Sequence, residues 1–238
     1  AAHCIPTPDT YIFDAGIEIK DSLISKIGPW DSQFKNESPD WEFKNCLMIP
    51  GLINAHCHLD YSNLKGMLAP GISFDDWIRQ VVEIAAQGKS KKLTESDYQK
   101  NVADQVATGT TTIFDVSVTG LAPKTEDHVI PFFEQVGLKP QKLEQRIVFI
   151  RQHLEKFNDR KFGLSPHTPY TTLPAYFQFA NQNAKHLMIH LSESEYEEPF
   201  LEKRTGPLAK FLQSLGLNVP ESDSLIPKKR GWQLLKDY

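Results

Sequence analysis

The sequence predicts an α/β protein, with a small N-terminal β module over residues 1–49 and an incomplete (β/α)8 barrel of TIM type over residues 50–238. Apolar residues near every second position are typical of strands and fill the first segment. The later segments alternate between strand and helix patterns, which predicts a parallel sheet. About five strand–helix units follow one another without a GxGxxG turn, which favours a barrel over a doubly wound sheet.

Composition and charge exclude several classes of protein. The 238 residues are 40% hydrophobic and 24% charged, enough to bury a core and too apolar for a disordered chain. The net charge of -4 argues against a nucleic-acid partner, and no apolar run is long enough to cross a membrane. Three scattered cysteines do not make a disulfide framework. We expect a cytoplasmic protein with a small-molecule substrate, and the sequence leaves open whether it forms a homo-oligomer.

The N-terminal β module is predicted from alternating apolar residues and turn residues. Segments 11–19 and 22–28 are expected to be strands, and residues 29–40 a loop. We expect the module to be part of a composite β domain. The apolar run over residues 46–59 is predicted to be one strand that is buried on both faces.

Two helices are predicted next, over residues 73–88 and 94–109, with Ser73 and Thr94 as N-caps. The apolar positions recur at helical spacing. They are Phe74, Trp77, Ile78, Val81, Val82 and Ala85 in the first helix, and Tyr98, Val102 and Val106 in the second.

The remaining segments continue the alternation of strands and helices. Strands are predicted at 110–118, 129–137, 161–167 and 186–194, and helices at 142–157, 173–184 and 198–216. In the helix at 142–157 the apolar stripe is Leu143, Ile147, Ile150, Leu154 and Phe157.

Polar side chains that can bind a metal follow several of these strands. His56 and His58 end the first barrel strand and, two residues apart, point to the same side. His167 ends a later strand, and His190 and Glu193 end the next one. Strand ends of a (β/α) barrel meet at its open mouth, where neutral imidazoles suit zinc or iron. Taken alone, the HxH pair could also be two ordinary, partly buried histidines that bind no metal.

Other polar and aromatic residues have open roles. Asp115 is expected either to orient a histidine or to cap the next loop, and Asp60 to face solvent or bond to a loop. Trp77 is expected in the ordinary core rather than in a pocket wall. The remaining histidines are expected to be structural or on the surface, and they are His3, His128, His153 and His186.

Four segments together resemble the metal-dependent amidohydrolase superfamily. They are MIPGLINAHCHLDYS, GTTTIFDVS, GLSPHTPYT and HLSESEYEEPFL, and they occur in the order of that superfamily. The chain is most similar to the branch that holds cytosine, guanine, S-adenosylhomocysteine and aminodeoxyfutalosine deaminases and the triazine chlorohydrolases.

This resemblance implies roles for five residues. His56, His58 and His190 would bind one divalent metal, with zinc expected first and iron or manganese as alternatives. Glu193 would carry a proton to a ring nitrogen of the substrate, and His167 would contact the substrate. The implied activity is hydrolysis of a C–N bond, with deamination of an amino-substituted heterocycle or nucleoside derivative expected first. Triazine dechlorination, cyclic amide hydrolysis and a non-catalytic, shortened relative are the alternatives.

The resemblance also implies two residues that this sequence does not contain. The superfamily uses a histidine after strand six and an aspartate after strand eight, whereas this sequence ends after the helix that follows strand five. We therefore expect a fragment of a longer protein, and expect the 238 residues alone to bind metal poorly and to be inactive.

Overall fold

The computed structural model describes residues 2–87, 93–120, 128–157, 161–216, 226 and 228–236. The chain divides into two compact units, Ala1–Gly51 and Leu52–Tyr238.

The first unit is built on a four-stranded sheet with the strand order β3-β2-β1-β4. Its elements are β1 (Ala2–Pro6), β2 (Tyr11–Lys20), β3 (Leu23–Pro29), a short helix α1 (Trp30–Gln33) and β4 (Phe43–Leu47). Strand β1 pairs antiparallel with β2 and parallel with β4. The strands predicted at 11–19 and 22–28 are confirmed, whereas the predicted loop at 29–40 contains α1.

The apolar run at 46–59 is not one strand, so this prediction was wrong. Pro50 and Gly51 interrupt it, and the chain leaves β4 before it enters β5 (Leu52–Cys57) in the second unit. Nor is β5 buried on both faces, since Ile53 is 63% exposed. Within the described residues β5 pairs only with β6, so it is an edge strand with one open side.

The second unit contains a parallel sheet with the strand order β5-β6-β7-β8. A 3₁₀ helix (Leu59–Leu64) follows β5. The other strands are β6 (Thr110–Ser117), β7 (Val129–Gln135) and β8 (Gly163–Pro166), and the helices are α2 (Phe74–Ala86), α3 (Glu95–Ala107), α4 (Pro140–Phe157), α5 (Pro174–Asn183), α6 (Glu197–Lys203), α7 (Pro207–Ser214) and α8 (Gly231–Leu235). Each of β6, β7 and β8 pairs with the strand before it in the sequence, as expected for successive βα units.

Helices α2 and α3 follow the predicted pattern. Thr94 caps α3 in a capping box with Asp97, and Tyr98 and Val102 are buried. In α2, Val81 is buried but Trp77 is 38% exposed, so its assignment to the ordinary core was wrong. Gly88, predicted to end α2, lies outside the described residues.

The apolar core of this unit lies between the sheet and its helices. Strands β7 and β8 pack through Phe133 and Leu164 against α4 and α5, where Ile150 and Tyr176 are fully buried. Leu143 is buried and Ile147 packs against this cluster, as the stripe of α4 predicts. The side chains of Leu154 and Phe157 are outside the described part of the structure.

Two of the predicted elements take another form. Residues 186–194 were predicted to be a strand, but they form only one bridge to β8, between Leu187 and Leu164. No further described strand pairs with this segment, so it has only one hydrogen-bonded edge. The helix predicted at 198–216 divides into α6 and α7, because Arg204 adopts a left-handed conformation and Pro207 starts a new helix.

The second unit therefore has the mixed α/β architecture that the sequence predicts, with four regular parallel strands among the described residues. None of the described helices has the length and apolar character that crossing a membrane requires.

Candidate metal centre

His56 and His58 place two ring nitrogens beside each other at the end of β5. Their side chains leave the same side of the strand, because side chains of residues two apart lie on one face. The Nε2 atoms are 3.2 Å apart, and the two rings stand edge to face. The structure thus brings this predicted pair together.

His190 joins this pair from a segment far away in the sequence. The segment runs along β8, where Met188 N–H donates to the carbonyl of Leu164 and His190 N–H donates to the carbonyl of His167. The Nε2 atom of His190 is 3.1 Å from that of His58 and 3.1 Å from that of His56. Three imidazole nitrogens therefore form a nearly equilateral triangle, the His triad (His56, His58 and His190).

The dimensions of the His triad fit a single metal ion. Two nitrogens on a tetrahedral zinc ion, each at about 2.0–2.1 Å, lie roughly 3.3 Å apart. The three observed separations are 3.1–3.2 Å. The Nδ1 of His190 lies 3.0 Å from the carbonyl of His167 and can donate its proton there, which leaves the Nε2 lone pair free for a metal.

The protonation of the His triad also suits metal binding. Burial is the main cause that lowers the pKa of His58 to about 4, and the neighbouring His190 and His56 lower it further. Burial, followed by His190, also lowers the pKa of His56. Both rings are therefore neutral at pH 7, which is the form that coordinates a metal.

Glu134, which is buried, and His167, which is partly buried, lie beside the His triad. The ring of His167 lies 5.0 Å from that of His190 between centroids, and its Nδ1 is 2.6 Å from the Oγ1 of Thr171. Burial lowers the pKa of His167 to about 3. Glu134 is 1% exposed, and its Oε1 lies 3.8 Å from the Nδ1 of His190. Ligand atoms of Glu134, His167 and His190 lie within 4.8 Å of one another.

Glu193 follows the His triad on a turn and is held by two contacts. Tyr170 donates its hydroxyl hydrogen to Oε2 of Glu193 over 2.9 Å. The backbone N–H of Glu193 donates to Oε2 of Glu197 over 3.0 Å. Glu193 does not belong to either group of clustered ligand atoms within the described residues. Glu193 therefore lies three residues after His190 in the sequence, and Tyr170 fixes the position of its carboxyl group.

Asp115 caps a helix rather than orienting a histidine. Its Oδ1 accepts a hydrogen bond from Leu59 N–H at the start of the 3₁₀ helix, and its Oδ2 accepts one from the hydroxyl of Tyr98. It thus caps the 3₁₀ helix after β5 and not the loop after β6, so neither predicted role of Asp115 is observed among the described residues.

Asp60 forms loop hydrogen bonds and is buried rather than facing solvent. Its carboxylate accepts from the backbone N–H groups of Val118 and Thr119 and from the hydroxyls of Ser117 and Thr119. These contacts fix the loop after β6 against the 3₁₀ helix that follows His58.

Comparison with known proteins identifies the family. The profile described as "Amidohydrolase family" matches residues 47–214, which is most of the chain. This protein belongs to the amidohydrolase family. The match covers every residue of the His triad together with His167 and Glu193.

Curated relatives of this amidohydrolase family member are deaminases by name. The 5'-deoxyadenosine deaminase of Methanococcus maripaludis is 27% identical over 83% of this chain and 51% of its own length. The 5-methylthioadenosine/S-adenosylhomocysteine deaminase of Carboxydothermus hydrogenoformans is 28% identical over 84% of this chain and 50% of its own length. The chain thus spans about half the length of the curated relatives it matches.

Solved structures share the fold. The crystal structure of Helicobacter pylori aminofutalosine deaminase in complex with methylthio-coformycin is one match. The matched region covers 97% of this chain and 58% of the deaminase chain, with a TM-score of 0.74 and 21% identity. An adenosine deaminase from Xanthomonas campestris with bound zinc covers 91% of this chain and 54% of its own, with a TM-score of 0.64 and 16% identity.

Three residues of the site were not singled out by the sequence analysis. Tyr170 and Glu197 lie inside the quoted segments GLSPHTPYT and HLSESEYEEPFL, but no periodicity marks them. Glu134 lies one residue before the end of β7, and a carboxyl residue near a strand end was the available signal.

Proposed function

We propose that this chain forms the metal-binding and substrate-binding part of a hydrolytic deaminase that acts on an aminopurine nucleoside derivative. The observation that carries this proposal is the His triad, with its three Nε2 atoms 3.1–3.2 Å apart. The names of the relatives, which concern deoxyadenosine, methylthioadenosine and S-adenosylhomocysteine, support this substrate class.

The architecture proposed for this function is an incomplete (β/α)8 barrel over residues 50–238. The parallel order β5-β6-β7-β8 supports it, as does the edge of β5 that no other described strand covers, since every strand of a closed barrel has two neighbours. Residues 1–49 are proposed to be part of a composite β domain, and large apolar side chains exposed on its sheet support this, such as Phe13 and Ile24.

The proposed ligands are His56, His58 and His190, with zinc as the expected ion and iron or manganese as alternatives. A divalent ion there would supply water of lowered pKa as a nucleophile at neutral pH. The separation of the nitrogens and the neutral imidazoles fit this ion, as argued above. Glu134 lies beside His190, and burial raises the pKa of its carboxyl group to about 8.

Glu193 is proposed to move a proton to the ring nitrogen next to the attacked carbon. Negative charge develops on that nitrogen when water adds across a C=N bond, so a carboxyl group within reach lowers the barrier. His167 is proposed to contact the substrate, because it lies beside His190 in a wall of the site.

Release of ammonia by purified protein tests this function. Two forms are assayed, the 238-residue chain and any longer product of the same reading frame. Adenosine, 5'-deoxyadenosine and methylthioadenosine are the substrates. Glu193→Gln should abolish release of ammonia and leave bound zinc unchanged, whereas Glu195→Gln, an exposed neighbour, should change neither.

Other results would reject the proposal. Release of chloride from a chlorotriazine, or of a carboxylate from a cyclic amide, without release of ammonia would point to the alternative hydrolases. Zinc binding without turnover of any of these compounds in either protein would favour the non-catalytic relative.

A further inference from the structure

The turn that carries Glu193 is held from two sides by residues of other elements. Tyr170, which follows β8, binds the carboxylate, and Glu197, the first residue of α6, binds the backbone. We propose that Tyr170 and Glu197 are positioning residues that fix Glu193 for proton transfer. This inference rests on the proposed role of Glu193.

Tyr170 is a rigid support for the carboxylate. Its side chain is 4% exposed and its ring packs edge to face against Phe200, with centroids 6.1 Å apart. Its backbone N–H donates to the hydroxyl of Thr168, which also accepts from Thr171 N–H. Because both ring and backbone are fixed, the hydroxyl can hold Oε2 of Glu193 in one place.

The hydrogen bond from Tyr170 also distinguishes the two carboxylate oxygens. Oε2 accepts from the hydroxyl at 2.9 Å, so Oε1 is the oxygen left to exchange a proton with the substrate. Burial, followed by the nearby Glu193, raises the pKa of Tyr170. The phenol therefore stays protonated and acts as a donor throughout the neutral range.

Glu197 stabilises the backbone of the same turn. Its side chain is fully buried, and Oε2 accepts a hydrogen bond from Glu193 N–H. Ser192 has a φ of 56°, a left-handed conformation that costs about 1 kcal/mol or more for a residue with a side chain. The contacts of Glu197 offset that cost and set the direction in which Glu193 leaves the turn.

The carboxyl group of Glu197 is also close to the backbone at Gly231. Its Oε1 lies 3.0 Å from where a Cβ on Gly231 would be. A side chain at position 231 would press first on Cδ1 of Leu191, at 2.5 Å, and then on this carboxyl group. Oε1 has no hydrogen-bond partner among the described residues, so the hydrogen bonding of this carboxyl group that the structure shows is through Oε2.

Tyr170→Phe tests the carboxylate contact, and Tyr176→Phe is its matched control. Tyr176 is equally buried and donates its hydroxyl hydrogen to the carbonyl of Phe133, but it does not contact Glu193. In a form that releases ammonia, Tyr170→Phe should lower kcat by about 10–100-fold, with KM within about threefold and bound zinc unchanged. Tyr176→Phe should reduce thermal stability similarly and leave kcat within about twofold.

Glu197→Gln and Glu197→Ala test the backbone contact, and keep the inference testable if Tyr170→Phe does not fold. The amide oxygen of glutamine can still accept from Glu193 N–H, so Glu197→Gln should retain most of kcat and Glu197→Ala should not. Crystal structures of the 238-residue chain provide a readout without turnover, in which the Glu193 carboxylate should move in Tyr170→Phe and stay in place in Tyr176→Phe.

The outcomes separate this inference from the proposed function. A Glu193 carboxylate that keeps its position in Tyr170→Phe, or a kcat equal to that of Tyr176→Phe, overturns the inference while deamination by the unmutated protein still stands. No release of ammonia from any form, with Glu193 displaced in Tyr170→Phe, supports the positioning contacts and rejects the deaminase.

Discussion

The Nε2 atoms of His58 and His190 lie 3.1 Å apart although 132 positions separate them in the sequence. Folding of the second unit alone brings them together. An ion that binds this pair and His56 therefore binds the folded state, and its binding free energy adds to the free energy of unfolding.

Zinc should stabilise the chain through the His triad. At a free zinc concentration about 100 times the Kd, the free energy of unfolding should rise by about 2.7 kcal/mol. His190→Ala should remove this increase, whereas His186→Ala, an exposed histidine on the same segment, should keep it. Urea unfolding with and without zinc measures both. Equal stabilisation of the two variants would place the ion elsewhere.

Asp60 should be a major contributor to stability. Its buried carboxylate accepts one hydrogen bond from the last residue of β6 and three from the loop after it. Asp60→Ala leaves these donors without their acceptor and should cost about 3 kcal/mol or more. Asp104→Ala is the control, because its ion pair with Lys100 is exposed and should contribute less than about 1 kcal/mol. Similar losses in the two variants would contradict the structural role of Asp60.

Tyr98 and Asp115 should be energetically coupled. The Tyr98 hydroxyl donates to Oδ2 of Asp115 over 2.6 Å, and both groups are fully buried. Tyr98→Phe should cost about 1–3 kcal/mol. Together with Asp115→Asn it should cost less than the two single losses combined, by at least about 0.5 kcal/mol. Tyr98→Phe with the exposed Asp104→Asn should be additive, and additivity in both pairs would refute the contact.

Asp115 should also make stability depend on pH. Burial raises its pKa from 3.8 to about 7, and outweighs the hydrogen bonds from Tyr98 and Leu59, which lower it. Because the pKa is higher in the folded state, this contribution to stability is complete below about pH 4 and is lost as pH rises through about 7.

The comparison with Asp115→Asn isolates that contribution. In metal-free buffer, the free energy of unfolding of the unmutated chain minus that of Asp115→Asn should fall between pH 5 and pH 8. Urea unfolding at several pH values measures it. A difference that stays constant or rises with pH would show that the carboxyl group is not the titrating group.

The sequence predicted the elements whose local signals agree with their packing. Helix α3 is an example, since Thr94 caps it and Tyr98 and Val102 are buried as the spacing requires. The HxH spacing likewise predicted that His56 and His58 would meet, because residues two apart in an extended chain lie on one face and His58 directly follows β5.

Two predictions that depended on which strands pair with a segment were wrong. Residues 46–59 look like one buried strand, but Pro50 and Gly51 divide them between two sheets, and among the described residues β5 lies at an open edge. Residues 186–194 are apolar enough for a strand, yet within the part of the chain that the structure describes only one side of the segment is hydrogen-bonded. Apolar character reports a tendency to be buried and does not report how many strands are available for pairing.

The residues that hold Glu193 in place could not be predicted from local sequence patterns either. Neither Tyr170 nor Glu197 has a periodic or motif signal that links it to Glu193, because these contacts join the loop after β8, a turn and the start of α6. Such contacts are decided by the tertiary structure.

The most direct test of the central claim is anomalous diffraction at the zinc edge from crystals of the zinc-loaded chain. We expect one peak per chain, at about 2.0–2.1 Å from the Nε2 atoms of His56, His58 and His190. A zinc peak that is absent from this triangle, or that is bound by other side chains, would contradict the metal centre proposed here.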